Sequence, residues 1–477
     1  MVAHVRTSLS SIFLALALYF LQGMSLGVAS SIPLFLIAHG ATWKDIGTLN
    51  FASYPFSLKL LWAPIIDVLY VKSFGRRKSW LVPVQFSAAA ILFLFSFYVE
   101  SFVENVRIVL LTIILFAIVF LTATQDVCAD GLAISLFTLT NPQWASTSQT
   151  VGQTMGNFIG SSFLLTFESA NFTNRFIREP LSIAPKETGL FSLEQFIRFV
   201  ALAFLIVTTC LIFFFREKED LPTSDDEETE SLSLIDTYLS IFKLFKKKCI
   251  QQLTLVSLLA PMGLVAISSM TWLALISQGV PRENLALISI PVTIVTIVAP
   301  LTIRHTELPL RWFAGSYIAY IITGMPIAVY VYYTPSMISA GYYYPILILL
   351  LSCNKFFQAL RFAAQIGFFA SISEPRIGGT YMTLLVTLQN LGFAIHSSII
   401  LYVSHWLPKN YDFVIATGIC TIIGIIWLGF SIRTLNQLQE IPTHEWYLLP
   451  IKHSDDVMTS NNHRTSLIED ESTSRII

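Results

Sequence analysis

Residues 55 to 80, PFSLKLLWAPIIDVLYVKSFGRRKSW, hold the stretch on which the reading of this chain turns. It starts as an apolar helix. Lys59 lies inside that helix, Asp67 lies near its end, and Gly75-Arg76-Arg77-Lys78 follows at once. A lone lysine at mid-bilayer costs roughly 2.5–3.5 kcal/mol on insertion scales. A helix that keeps one is expected to turn it toward water or an anion. Basic loops stay on the cytosolic side, so the cluster at 75–78 fixes this helix end there. Anchor, buried cation and nearby carboxylate together suggest a pathway for a negatively charged solute.

The rest of the composition agrees. Of 477 residues, 54% are hydrophobic and only 12% charged, with mean hydropathy +0.66; soluble chains average about 25% charged. A net charge of -1 gives no reason to expect a nucleic-acid partner. The five cysteines are scattered, without zinc or redox spacing and without a disulfide framework. No cofactor, metal or catalytic residue is expected. The first apolar run, 11–38, exceeds a signal-peptide core of about 7–15 residues and reads as a retained span.

A spanning helix needs roughly 20 apolar residues. Twelve such segments are expected, at 11–38, 47–70, 80–100, 108–135, 145–168, 193–215, 251–278, 284–303, 311–333, 343–372, 378–404 and 411–432. Pro33, Pro64 and Pro261 are expected kink sites, since proline removes a backbone donor. With a cytosolic N-terminus, eighteen of the 29 Lys and Arg fall in cytosolic segments, eight on the other side and three within spans. The bias places both termini in the cytosol. The sequon Asn171-Phe172-Thr173 then falls on the non-cytosolic side, as glycosylation at Asn171 requires.

The organisation is therefore an N-terminal six-helix bundle (1–215), a linker (216–250), a C-terminal six-helix bundle (251–432) and a polar tail (433–477). The linker is acidic at 224–230, where disorder is the default, and 244–248 reads as an amphipathic approach to the seventh span. The tail is expected to be mostly unstructured. Met24, Ser30-Ser31 and Lys44-Asp45 reappear as Met262, Ser268-Ser269 and Arg282-Glu283, each 238 residues on. Parallel six-span repeats are the mark of the major facilitator fold, an all-α polytopic architecture of two pseudo-symmetric bundles.

Three spans carry polar stripes. Asn354, Lys355, Gln358, Arg361 and Gln365 fall within roughly a 120° arc of the tenth span. Two cations on that face suit phosphates; the alternative is structural pairing with acids elsewhere. Gln125, Asp126 and Asp130 lie on the fourth span, the aspartates at i and i+4. They are expected to pair with Lys59 or Arg361, or to couple protons. Metal ligation has no supporting His or Cys. The acidic stripe of one half is expected to face the basic stripe of the other. On the fifth span Gln149, Gln153 and Asn157 share a face with Gly156 and Gly160. The glycines allow close helix approach, while the amides suit a solute or a neighbouring helix. His396 in the eleventh span reads as structural.

Several blocks resemble a known family. PFSLKLLWAP with Asp67, FGRRKSWLVP, ATQDVCADG, ASTSQTVGQT with FESANF, and IGGTYMTLL with QNLG are similar to the acetyl-coenzyme A transporter family of the major facilitator superfamily. The resemblance implies carriage of acetyl-CoA from cytosol to endoplasmic reticulum lumen by alternating access, with exchange for CoA an open option. A CoA ester is polyanionic, and Arg and Lys suit its phosphates. Lys59, Lys355 and Arg361 are expected to meet them, with Gln358, Gln149, Gln153 and Asn157 as polar partners and Trp62 stacking on adenine. Asp67 with Arg76, Arg77 and Lys78, together with Asp126 and Asp130, are expected to gate or couple transport. The partners are then the small-molecule substrate and the lipid bilayer; a homodimer is left open. The alternatives are carriage of another large organic anion, muropeptide-like or nucleotide-linked, and a membrane acyltransferase. The acyltransferase needs a positioned catalytic His, and His396 has no evident partner.

Overall fold

The computed structural model describes residues 9–137, 143–215, 234–299, 302, 308–372 and 378–447. It is almost wholly helical, and the twelve expected spans are all present. Nine helices are long and apolar enough to cross a membrane among the described residues. The other three spans are short or interrupted. The second is built from Trp43–Leu49, Asn50–Ser53, Tyr54–Leu58, Lys59–Leu61 and Ala63–Val68. The fifth runs Gln143–Phe158, Ile159–Phe163 and Leu164–Glu168, and the eighth is Arg282–Val298.

The second span corrects the expectation of one continuous helix. Pro64 has no N–H to give the carbonyl of Leu60, and its ring crowds that carbonyl. The chain responds with a tight 3₁₀ turn at Lys59–Leu61 just before it. Such a turn inside a span often marks a hinge. It also leaves the Leu61 carbonyl free, and the Tyr238 hydroxyl donates to it at 2.5 Å. Pro261 acts in the same way, within the 3₁₀ segment Ala260–Gly263 of span seven. Pro33 does not break its helix, Leu9–Ala38.

Spans one to six pack mainly on one another, and spans seven to twelve do the same, giving two bundles. Span one lies directly against span five, and the fit depends on missing side chains. A Cβ on Gly156 would sit 2.1 Å from the Phe20 carbonyl, and one on Gly23 2.3 Å from the Gln153 carbonyl. Gly75 has φ +98°, where a side chain is strained; it turns the chain into span three, Lys78–Ser96.

The ends of the described chain, Leu9 and Tyr447, lie on one face, the terminal face. There Lys247, just before span seven, donates to the carbonyls of Glu445 (2.9 Å) and Tyr447. The linker yields a helix, Leu234–Phe245; its acidic part, 216–233, lies outside the described residues. The first part of the expected tail, 433–447, is ordered, while 448–477 lies outside the described residues. Span twelve runs Asp412–Glu440, and Thr443–Trp446 follows as a short helix. Leu435, Leu438 and Trp446 are buried. Their apolar contacts outweigh the polar composition around them.

Candidate substrate site

Lys59 is placed by the 3₁₀ turn of span two so that it points into the first bundle. Its ammonium lies 2.5 Å from Asp126 Oδ2, with both side chains nearly inaccessible, at 10% and 3%. Asp126 Oδ1 also accepts from Gln22 Nε2 (2.6 Å) and Gln153 Nε2 (3.4 Å). Asp130, one turn on, accepts from the Tyr19 hydroxyl (2.8 Å) and Gln149 Nε2 (3.0 Å). Lys59 is thus already neutralised, and in this conformation its charge is not offered to a solute. Gln149 and Gln153 hold the carboxylates. Trp62 packs its ring on Phe120, centroids 4.8 Å apart. Asn157 is exposed, and its backbone carbonyl lies 2.7 Å from where a Gly27 Cβ would stand.

The basic stripe behaves differently. Span ten, Tyr343–Ile372, presents Lys355 and Arg361 without a carboxylate partner among the described residues. Lys355 Nζ donates to Gln358 Oε1 at 2.7 Å. Arg361 Nη1 reaches Gln365 Oε1 at 3.3 Å, and its guanidinium lies 5.7 Å from the Phe313 ring centroid. Arg361 Nε is buried without a partner among the described residues. The expected facing of acidic and basic stripes is therefore corrected: the acids are consumed inside their own bundle. Asn354 turns away, donating to the Tyr320 carbonyl and Thr323 Oγ1, both at 2.9 Å.

Beside Arg361 lies a cavity of about 160 Å³ between spans seven, ten and eleven. Gln358, Arg361 and Gln365 line one wall, Ser257 and Pro261 another, and Gln389 and Asn390 a third. Ser257 Oγ and Gln389 Oε1 are likewise buried without partners among the described residues. Unpaired buried donors and acceptors are costly, so a cavity lined by three residues that carry them is suited to a polar ligand. The 3₁₀ break at Pro261 contributes to the same wall. Enclosing a whole drug-sized ligand takes about 300–1,000 Å³, so this cavity fits one polar group of a larger molecule.

On the face opposite the chain ends the bundles are joined. Trp43 Nε1 donates to Asp412 Oδ2 (2.6 Å), Thr48 Oγ1 meets the Tyr402 hydroxyl (2.7 Å), and Asn50 Nδ2 donates to Ser398 Oγ (2.9 Å). Across the pseudo-symmetry axis, Ser162 and Ser289 hydroxyls lie 2.6 Å apart and Arg282 lies 3.5 Å from Glu168. These contacts between the bundles belong to this half of the molecule or its midplane. The cavity lies nearer the terminal face, beyond the closure.

The remaining sequence candidates fall elsewhere. Lys78 donates to the carbonyls of Ile212 (2.9 Å) and Phe215 (2.7 Å), so it caps the end of span six, Leu193–Phe214. Arg77 lays its guanidinium over Gly131, 2.3 Å from where a Cβ would stand. Arg76 is half-buried beside it in the loop. The Asp67 side chain lies outside the described residues. Asn171 is exposed in the short helix Ala170–Thr173. His396 bonds the Gly392 carbonyl at 2.7 Å. Sequence reasoning missed Tyr19, Gln22 and Ser257 as participants. A buried amide in an apolar span was a signal for Gln22; a hydroxyl such as Ser257 gives none, because serines commonly bond their own helix.

The acetyl-coenzyme A transporter 1 family model matches residues 11–231 and 308–412. The chain belongs to the acetyl-coenzyme A transporter family. An uncharacterized protein of Schizosaccharomyces pombe is 34% identical over 391 residues, covering 80% of this chain and 72% of its own. An uncharacterized membrane protein of Saccharomyces cerevisiae is 25% identical over 560 residues, covering 92% and 98%. Among solved structures, the nucleoside transporter NupG superposes with TM-score 0.61 over 89% of this chain and 99% of its own, at 12% identity. A bacterial homologue of the lysosomal transporter Spinster gives 0.57 over 90% and 96%, at 13% identity. These likenesses show the fold. With the family, they make this member of the acetyl-coenzyme A transporter family a multi-pass membrane transporter.

Proposed function

We propose that the chain carries acetyl-CoA from cytosol to endoplasmic reticulum lumen by alternating access, with CoA as the exchange partner. Both termini face the cytosol in this reading, and Asn171 is glycosylated in the lumen. One observation carries it: Arg361 of span ten lines a polar cavity, and among the described residues it has no carboxylate to neutralise it. A guanidinium left open in that way is complementary to phosphate. Lys355, at the other edge of the same polar arc, supplies a second cation for the pyrophosphate and 3′-phosphate. Gln389 and Asn390 present amides to the adenine edge.

The test is uptake of labelled acetyl-CoA by purified protein in liposomes, with the acetyl ester recovered intact. Arg361→Gln removes a charge-assisted contact with phosphate. Losing one side of such a pair costs about 2–5 kcal/mol, so KM is expected to rise at least about 30-fold. An unchanged KM in Arg361→Gln and in Lys355→Gln overturns the assignment. Competition by CoA, nucleotide sugars and muropeptides ranks the substrate against other large anions.

A further inference from the structure

Two carboxylates and one ammonium occupy the core of the first bundle, and the ammonium is spoken for. Lys59 is bound to Asp126 at 2.5 Å. Asp130 is held by neutral donors, the Tyr19 hydroxyl and the Gln149 amide. Among the described residues the titratable and charged groups around Asp130 are Tyr19 from span one, Lys59 from span two, Arg77 from the segment before span three, and Asp126 from its own helix. Arg77 lies over Gly131, the next residue. Gln22 is fully buried, donates to Asp126, and its Oε1 has no partner among the described residues. The cluster therefore contains a buried acceptor that lacks a donor. Asp126 is sealed at 2% exposure, whereas Asp130 is partly exposed, one helical turn nearer the terminal face.

We propose that Asp130 is a proton-binding site that couples proton movement to the transport described above. Its ligands tie span four to spans one and five. Those spans, with span two, carry much of the first bundle's surface against the second: Ser162 of span five meets Ser289, and Asn50 of span two meets Ser398. Charge-assisted hydrogen bonds are roughly twice as strong as neutral ones. Protonating Asp130 weakens its hold on Tyr19 and Gln149 and so loosens span four from spans one and five. Deprotonation restores it. One proton enters from the side to which the cluster is open and leaves after the bundles rock; the Lys59–Asp126 pair stays intact. The site does not overlap the cavity at Arg361, so the two roles separate by mutation.

The inference rests on the transport reading, and its test has an arm that does not. Purified protein in liposomes is given labelled acetyl-CoA with and without an imposed pH gradient. For one coupled proton, a gradient of one pH unit changes the steady accumulation ratio about tenfold. Asp130→Asn is expected to abolish that response while exchange of labelled for unlabelled acetyl-CoA continues at the parental rate. Tyr19→Phe is expected to shift the pH midpoint of net uptake and leave exchange alone. In the substrate-free arm, infrared difference spectra follow the carbonyl stretch of a protonated carboxyl group as pH is raised. The band is expected in the parent and absent from Asp130→Asn. A pH-gradient response retained in Asp130→Asn, or a parent without that titrating band, overturns the proposal. If acetyl-CoA is neither accumulated nor exchanged, the substrate reading fails, and the infrared arm still decides the proton site.

Discussion

Removing the carboxylate from Asp126 while keeping its shape, as Asp126→Asn, strands the Lys59 ammonium. At 2.5 Å and an effective dielectric of 20, the gross attraction is about 6–7 kcal/mol. Desolvating two ions opposes this by several kcal/mol each. The net value of the pair is therefore small, but the cost of breaking it is not. A buried charge left without its partner costs about 3–5 kcal/mol. Lys59→Met should cost less than Asp126→Asn, because Asp126 keeps the Gln22 and Gln153 amide donors, whereas Lys59 has no second hydrogen-bond partner among the described residues. The double variant Lys59→Met/Asp126→Asn removes both charges and is expected to recover most of the loss. The assay is thermal unfolding of detergent-purified protein followed by size-exclusion fluorescence, run as a double-mutant cycle. Equal destabilisation of the single and double variants, or no loss in Asp126→Asn, refutes a neutralised pair and returns Lys59 to the list of cations free to meet a substrate.

Two further outcomes follow from the geometry. Arg282→Gln removes a half-exposed ion pair to Glu168 at 3.5 Å, worth up to about 1 kcal/mol. That shifts the open–closed balance about fivefold, read as faster labelling of a cysteine placed at Ser162 from the face opposite the chain ends; unchanged labelling removes the pair from the closure. Gly156→Leu drives a side chain into the Phe20 carbonyl, 2.1 Å from the Cβ position. Loss of monodisperse protein is expected from it, while Gly315→Leu, with open space around its Cβ position, is expected to be tolerated; equal yields of the two refute close packing of spans one and five.

The amino-acid sequence by itself determined the twelve spans, their two-fold repeat and the family. Each rests on a local or periodic property: roughly 20 apolar residues cross a bilayer wherever they occur, and an offset of 238 residues is legible without contacts. It also singled out Lys59, Asp126, Lys355 and Arg361, because a charged residue inside an apolar run stands out whatever surrounds it. Tertiary structure decided which cations are spent. Lys59 and Asp126 are 67 residues apart in the chain, and no spacing rule tells a paired lysine from an open one. The same holds for Lys78, which reads as a gate and sits at the end of span six. The cavity draws Ser257, Arg361 and Gln389 from three helices. Charge is a property of residues, but its neutralisation is a property of distances, and only the fold sets those.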